Sequence, residues 1–300
     1  MSEQLTKSQI KKQIIETAIE EYVGMPKFEK SIAKVSAKYG INRKTLTRYL
    51  KERGIEIVAN KGAYPIDENV FEKIDTEEKA YWLGFLYADG YVAANNNQIG
   101  LGLALNDILH LEKFKNFIKW EGEIKISKEH QFGSKDNHNK KGEEMFSCRI
   151  IVSNEKMHQD LINLGCVPNK SLILKFPTEE QVPKEFQVAF IRGYFDGDGT
   201  LGLYQHSKKN PRLEESLLIV GTKPFLEKVQ EVLGTGYLMQ KKNCNENTYR
   251  LGYSTLKAFK VADTMYKNAT VYLNRKYNIY INEYCPYRAK TVKAETSTPC

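Results

Sequence analysis

Two aspartates are the residues of this sequence best placed to do chemistry, because each closes one copy of a repeated segment. Asp89 is the eighth residue of segment 82–90, WLGFLYADG, and Asp198 is the eighth residue of segment 191–199, IRGYFDGDG. Carboxylate oxygens are the hard ligands that Mg²⁺ prefers, and Mg²⁺ can activate water and stabilise the transition state of phosphodiester hydrolysis. The pattern therefore predicts a divalent-metal site, provided that the fold brings the two aspartates together.

Each segment is predicted to be a helix with a stripe of small residues on one side. Small residues recur at every fourth position and so share a helix face; they are Ala80, Gly84 and Ala88 in the first copy and Ala189, Gly193 and Gly197 in the second. A glycine inside a helix costs about 1 kcal/mol relative to alanine, so the stripes indicate two helices that pack closely. Their C-terminal ends would then meet, where the helix dipole disfavours carboxylates and like charges repel. A divalent cation would reverse this balance. The alternative is that each Asp-Gly pair only ends a helix in a turn.

The residues around the two segments repeat as well. Asp75 and Glu78 form a predicted capping box at the start of the first helix, and Pro183 suits the first turn of the second. Periodicity then predicts strands at 99–105 and 217–220, helices at 109–118 and 224–233, and strands at 149–153 and 250–254. A lysine follows each copy in a similar setting, Lys170 in VPNKS and Lys276 in LNRKY. We therefore predict an α+β protein with two αββαββα repeats, at residues 71–178 and 179–285.

The first sixty residues are predicted to form a small all-α domain, residues 1–56, followed by a linker at 57–70. Helices are expected at 5–21, 31–39 and 43–51, the first because of the helical spacing of Ile10, Ile14, Ala18 and Ile19. Gly40 suits the turn before the third helix and Asn42 suits its N-cap. The inner face of that helix would carry Leu46, Tyr49 and Leu50. A helix, a short glycine-containing turn and a second helix are typical of a helix-turn-helix.

The charge of this domain favours nucleic acid as a partner. Residues 27–54 hold nine basic residues against two acidic ones, which is most of the chain's formal net charge of +8. The outward side chains of the third helix suit phosphate contacts and base edges in the major groove; they are Arg43, Lys44, Thr47, Arg48 and Lys51. The alternative is a solvated basic helical hairpin.

The two repeated segments resemble the LAGLIDADG motif, and the chain resembles a two-repeat LAGLIDADG homing endonuclease over residues 70–285. The resemblance implies two pseudo-symmetric halves joined along the motif helices, with antiparallel sheets that form a saddle in the DNA major groove. It implies Mg²⁺-dependent double-strand cuts that leave 3′ overhangs. Asp89 and Asp198 would then be the metal ligands, helped by the backbone carbonyls of Ala88 and Gly197.

The resemblance also assigns expected roles to other residues. Lys170 and Lys276 would tune the nucleophilic water, the alternative being ordinary surface or DNA-facing lysines. Asp107 and Thr222 are the nearest matches for a polar residue that orders this water, and Asp196 is expected to be structural. Specificity would come from alternate strand residues, namely Asn95, Asn97, Gln98, Arg149, Tyr204, His206, Lys208 and Arg250. The polar loop 135–141 would reach the DNA backbone, and residues 286–300 would form a disordered tail.

Composition limits the classes of protein to which the chain could belong. None of the apolar runs is long enough to cross a bilayer, no signal peptide is evident, and the five scattered cysteines do not predict a disulfide framework or zinc site. We expect a soluble intracellular monomer that binds double-stranded DNA, with intron RNA as a second candidate partner. A non-cleaving transcriptional regulator or an RNA maturase on the same fold stay open as alternatives. An intein nuclease is disfavoured, because the ends of the chain lack the residues that splicing requires.

Overall fold

Three helices form the N-terminal unit of the chain, residues 1–66, and the computed structural model divides this unit from residues 67–300. The structure describes residues 6–26, 30–57, 64–129, 145–207, 210–241 and 247–289. The helices of the first unit are α1 (Lys7–Gly24), α2 (Ile32–Lys38) and α3 (Arg43–Glu52). The division after residue 66 falls inside the linker predicted at 57–70.

The three predicted helices of this unit are confirmed, and so is the expected N-cap of α3. The Asn42 side chain accepts a hydrogen bond from the backbone N–H of Lys44 at 2.9 Å, and Gly40 has a φ of 62° in the turn before it. The core consists of Ile15, Ala18, Ile19, Tyr22, Val35, Leu46 and Leu50. The predicted inner face of α1 was partly wrong, because Ile10 and Ile14 are exposed. The buried face of α1 instead follows the spacing of Ile15, Ile19 and Tyr22.

The second unit contains two copies of one αββαββα arrangement, which confirms the predicted fold class. The first copy runs α4 (Glu77–Ala88), β1 (Gly90–Val92), β2 (Gln98–Ala104), α5 (Ile108–Phe117), β3 (Lys125–Glu129), β4 (Met145–Ser153) and α6 (Glu155–Asn163). The second runs α7 (Gln187–Asp198), β5 (Gly199–Ser207), β6 (Asn210–Gly221), α8 (Lys223–Leu233), β7 (Tyr237–Gln240), β8 (Tyr249–Ser254) and α9 (Thr255–Tyr266). A final helix, α10 (Asn274–Ile279), continues through the π-helical turn Tyr280–Tyr284. Residues 285–289 remain helical, so the helix passes the boundary predicted at residue 285.

Each repeat builds one antiparallel sheet of four strands. The strand orders are β1-β2-β4-β3 and β5-β6-β8-β7, the same order in both repeats. Side chains alternate across a strand, and in β4 the buried residues Cys148, Ile150 and Val152 alternate with more accessible ones. Helices α5 and α6 contact strands of the first sheet, and α8 and α9 contact strands of the second. Each sheet therefore has a covered face and a face open to solvent.

Helices α4 and α7 pack against each other along their small-residue stripes, as predicted. A methyl group on Gly84 would overlap the carbonyl oxygen of Phe190, and a methyl group on Gly193 would overlap that of Tyr81. Both glycines are the third residue of their segment, and Tyr81 and Phe190 each immediately precede a segment. The contacts are therefore reciprocal, as a two-fold axis between the repeats requires. Only glycine allows the two backbones to approach so closely.

The predicted start of the first motif helix needs a correction. The N-cap of α4 is Thr76, whose hydroxyl accepts a hydrogen bond from Lys79 N at 3.2 Å. Asp75 forms an ion pair with Lys79 at 2.8 Å instead. The predicted Asp75–Glu78 capping box was therefore wrong, since the N-cap lies one residue later and Lys79 occupies the third helical position. Pro183 precedes the short 3₁₀ helix Lys184–Phe186, which leads into α7.

Candidate active site

The two motif aspartates lie where α4 and α7 end side by side. Asp89 is the C-cap of α4 and Asp198 is the last residue of α7. A methyl group on Gly197 would lie 3.1 Å from Asp89 Oδ2, so the first carboxylate lies against the end of the second helix. Each aspartate keeps part of its surface open to solvent. The fold thus gathers the two carboxylates that the sequence placed far apart.

The carboxylates resist ionisation while no cation accompanies them. The surrounding protein removes water from Asp89, and this desolvation together with the charge of Asp198 raises the pKa of Asp89 to about 6. Desolvation also raises the pKa of Asp198. No third His, Cys, Asp or Glu joins them to form a larger metal-binding cluster within the described residues. The remaining ligands of a cation here would be oxygens of backbone, water or substrate, a donor set that suits Mg²⁺.

Lys276 is buried beside the end of α7. Its Nζ donates hydrogen bonds to the carbonyl oxygens of Phe195 at 2.5 Å and Asp196 at 2.8 Å. Burial lowers the pKa of Lys276 to about 8, although the charges of Asp196, Asp89 and Asp198 oppose this shift. A lysine with this pKa is partly neutral at mildly alkaline pH and can exchange a proton with water.

Lys170 is also buried, beside the end of α4. It begins a short 3₁₀ helix after Asn169, which has a left-handed φ of 54°. Its Nζ donates a hydrogen bond to the carbonyl oxygen of Gly90. Each lysine is therefore fixed to backbone at the end of the motif helix of its own repeat. The structure brings the two predicted aspartates and the two predicted lysines to one region.

Asp107 and Thr222, the residues expected to order the water, form hydrogen bonds that the sequence did not predict. Asp107 Oδ2 accepts a hydrogen bond from Arg275 Nε at 2.9 Å, and Thr222 donates one to the carbonyl oxygen of Leu174 at 2.5 Å. Arg275 precedes Lys276, and Leu174 lies four residues after Lys170. Each of the two residues therefore ties the lysine-bearing segment of the opposite repeat to its own repeat.

Sequence reasoning did not find the buried polar contacts of α7. Arg192 donates to the carbonyls of Val271 at 3.0 Å and Met265 at 2.8 Å and pairs with Glu77. Asp196 is fully buried. A signal for both was available, because an arginine and an aspartate one turn apart are unusual in an otherwise apolar helix.

The residues expected to read DNA lie on or beside the open faces of the two sheets, as far as the structure describes them. Arg149 is exposed opposite Gly102 and Lys125, and Arg250 is exposed opposite Val220 and Met239. Gln98 is half-buried at the start of β2, and three further candidates, Asn95, Asn97 and Tyr204, are exposed. The side chain of His206, together with Lys208 and loop 135–141, lies outside the described residues.

The outward face of α3 is basic, as predicted. Arg43, Lys44, Arg48 and Lys51 are exposed and Thr47 is half-buried. Arg48 lies 3.8 Å from Glu52, one turn further along. A face of this composition can contact a phosphate backbone.

Comparison with known proteins agrees with this architecture. Residues 185–262 match the family profile of a LAGLIDADG-like domain. This match lies within the second repeat, and together with the duplicated fold and the paired motif helices it confirms that the chain resembles two-repeat LAGLIDADG proteins. A search of curated proteins finds no match.

Several solved structures are similar to this chain at low sequence identity. The I-LtrWI LAGLIDADG homing endonuclease bound to target DNA is 14% identical, with 74% of this chain and 92% of that chain covered and a TM-score of 0.39. The meganuclease I-SmaMI bound to uncleavable DNA is 14% identical, with coverage of 73% and 91% and a TM-score of 0.47. I-SmaMI bound to uncleaved DNA in the presence of calcium ions is 15% identical, with coverage of 73% and 93% and a TM-score of 0.44.

Proposed function

We propose that the protein is a site-specific homing endonuclease that cuts both strands of a long double-stranded DNA target. The observation that carries this proposal is the pairing of Asp89 and Asp198 at the ends of two packed helices, each end also holding a buried lysine. Two carboxylates that repel each other are unfavourable at helix ends that have only a structural role. A divalent cation bound between them would remove this repulsion and could also bind a phosphodiester.

The residues present fit Mg²⁺. Asp89 and Asp198 would hold it, with the backbone carbonyls of Ala88 and Gly197 as further ligands. When bound, Mg²⁺ supplies an activated water and stabilises the charge of the phosphodiester transition state. The chain's own contribution is to hold both carboxylates ready and to fix Lys276 Nζ and Lys170 Nζ close by, where their charges lower the cost of ionising the aspartates.

The symmetry of the repeats matches the symmetry of the substrate. Duplex DNA has its own two-fold axis, so two related halves present equivalent groups to the two antiparallel strands. We expect each half to serve one strand and the cuts to be offset, leaving 3′ overhangs. Because the second repeat supplies the half that a dimer would otherwise provide, we expect a monomer.

DNA contacts are proposed for two surfaces. The open sheet faces would enter the major groove, where Arg149, Arg250 and Gln98 suit base edges. The basic face of α3 would act as the second helix of a helix-turn-helix and add phosphate contacts. The exposure of Arg43, Lys44 and Lys51 supports this proposed contact between α3 and DNA.

The decisive experiment is cleavage of the DNA that flanks the gene's own insertion point, rejoined as if the element were absent. The unmutated protein should make a double-strand cut with Mg²⁺ and none with EDTA. Asp89→Asn and Asp198→Asn should each abolish the double-strand cut. Asp75→Asn is the matched control, since it removes a carboxylate that pairs with Lys79 on the surface.

Binding of this DNA without a cut under any divalent metal would contradict the proposal. It would support a regulator on the same fold, and intron RNA would then be tested as the partner.

A further inference from the structure

The buried carboxylate of Asp196 has no part in the metal chemistry proposed above, yet both of its oxygens accept hydrogen bonds. It is fully buried. Oδ2 accepts hydrogen bonds from Tyr81 Oη at 2.7 Å and from Leu273 N at 2.7 Å. Oδ1 accepts one from Tyr266 Oη at 2.5 Å. A buried carboxylate is costly unless donors surround it, and three donors surround this one.

Two hydrogen bonds join Asp196 to the segment that carries Lys276, one to its side chain and one to its main chain. Leu273 is the N-cap residue of α10, and Lys276 follows it within the first turn. The carboxylate holds the backbone N–H of Leu273, while the main-chain carbonyl of Asp196 accepts a hydrogen bond from Lys276 Nζ at 2.8 Å. The same residue therefore fixes both the start of the helix and the tip of its lysine.

The segment is also held from the first repeat. Lys113 Nζ donates to the carbonyl oxygen of Tyr272 at 3.0 Å and to Asn274 Oδ1 at 2.8 Å. Tyr81, which donates to Asp196, also lies in the first repeat and contacts His110 Nε2 at 3.0 Å. Asp196 is thus the point at which α4, α7, α9 and the start of α10 are joined by hydrogen bonds.

The first repeat has no equivalent of this carboxylate. Tyr87 occupies the corresponding motif position, and its hydroxyl donates to the carbonyl oxygen of Leu164 at 2.6 Å. That bond reaches the end of α6 rather than the 3₁₀ helix that begins at Lys170. The two lysines are therefore positioned by different means, although they are matched in sequence.

We infer that Asp196 is a positioning residue for Lys276, and that cutting of the strand served by the second-repeat half depends on it while cutting of the other strand does not. This inference rests on the proposed nuclease function. Asparagine at position 196 would keep the size of the side chain, but its NH₂ group would face a donor where a carboxylate oxygen now accepts. Asparagine also lacks the negative charge, so the hydrogen bonds to Leu273 and the two tyrosines would weaken or rearrange, and we expect α10 to shift.

The test measures the cutting rate of each strand separately at saturating protein, using DNA labelled on one strand at a time. Lys276→Met first identifies the strand that depends on the second-repeat lysine. Asp196→Asn should slow that same strand on the order of tenfold to a hundredfold, as expected for a misplaced catalytic group. Nicked DNA should accumulate, and DNA affinity should be unchanged. Tyr87→Phe is the matched control and should leave the rate of that strand unchanged.

Equal slowing of both strands by Asp196→Asn, or slowing only of the strand that is insensitive to Lys276→Met, would overturn the inference. If Asp196→Asn does not fold, Tyr266→Phe removes one donor from the carboxylate and should slow the same strand by a smaller factor. An equal effect of Tyr266→Phe on both strands would overturn the inference too. Absence of any cutting by the unmutated protein would overturn the proposed nuclease function and this inference with it, and so differs from a failure of the inference alone.

Discussion

Replacing Asp89 by asparagine should make the metal-free protein more stable at pH 8. The pKa of Asp89 is raised to about 6 because the site removes water from the carboxylate and because Asp198 repels its charge. A carboxyl group whose pKa is higher in the folded state than in the unfolded state favours folding when it is protonated. Its stabilising contribution is complete below a pH of about 4 and is lost as the pH rises through about 6. At pH 8 the ionised Asp89 opposes folding, and asparagine removes that opposition.

The size of the effect follows from the same pKa. A rise from 3.8 to about 6 corresponds to about 3 kcal/mol between the two protonation states. Asp89 is open to solvent, so screening reduces this to about 1 kcal/mol. For a domain of this size, 1 kcal/mol corresponds to a rise of about 2–4 °C in Tm. At pH 5 the difference should be smaller, because a larger fraction of Asp89 is protonated in the folded protein than in the unfolded chain.

Thermal unfolding in EDTA at pH 8 and pH 5 measures both effects. Adding Mg²⁺ at pH 8 should raise the Tm of the unmutated protein and change that of Asp89→Asn much less, since binding to the folded state alone is stabilising. Asp75→Asn is a control of opposite sign, because the hydrogen bond from Lys79 lowers the pKa of Asp75. A lower or unchanged Tm for Asp89→Asn at pH 8 in EDTA would refute the reasoning.

Two further predictions concern packing and DNA binding. Gly193→Ala should destabilise the second unit by about 3 kcal/mol, because a methyl group there overlaps the carbonyl oxygen of Tyr81; chemical denaturation measures this. Gly102→Ala, whose methyl group would lie 3.8 Å from Arg149 Cβ, should be nearly neutral, and equal losses for both variants would exclude close helix packing as the cause. Lys44→Ala should weaken DNA binding and reduce the slope of log K against log salt by about 0.9 if Lys44 contacts a phosphate. Lys267→Ala removes the same charge beside Asp263, and a slope that changes equally in both variants would argue against a specific α3 contact.

Local patterns in the sequence were sufficient for much of the architecture. The small-residue stripes predicted that α4 and α7 pack closely, because a glycine within a helix otherwise lowers the stability of the helix. The duplication predicted two αββαββα units, and Asn42 predicted the start of α3. These features depend on residues near one another in the chain, and their physical causes act locally.

Other features could not be predicted because two adjacent residues were equally suitable for the same position, either as an N-cap or as a buried side chain. Asp75 and Thr76 are both good N-cap residues, and only the backbone at Thr76, with φ −138° and ψ 155°, shows which one caps α4. Ile14 and Ile15 are both apolar, and only the packing of α1 against α2 and α3 shows that Ile15 is buried and Ile14 exposed.

The sequence by itself determined the chemistry that is available: two aspartates, two lysines and two matched helices to carry them. The tertiary structure decided where each of these groups lies and what holds it. It brought Asp89 and Asp198 to adjacent helix ends, turned Asp107 toward Arg275, and buried Asp196 among donors from two helices and a loop. The pKa shifts and the different anchoring of the two lysines arise from contacts between residues far apart in the chain. Such contacts leave little local signal, because they depend on desolvation and geometry that exist only after the repeats have packed together.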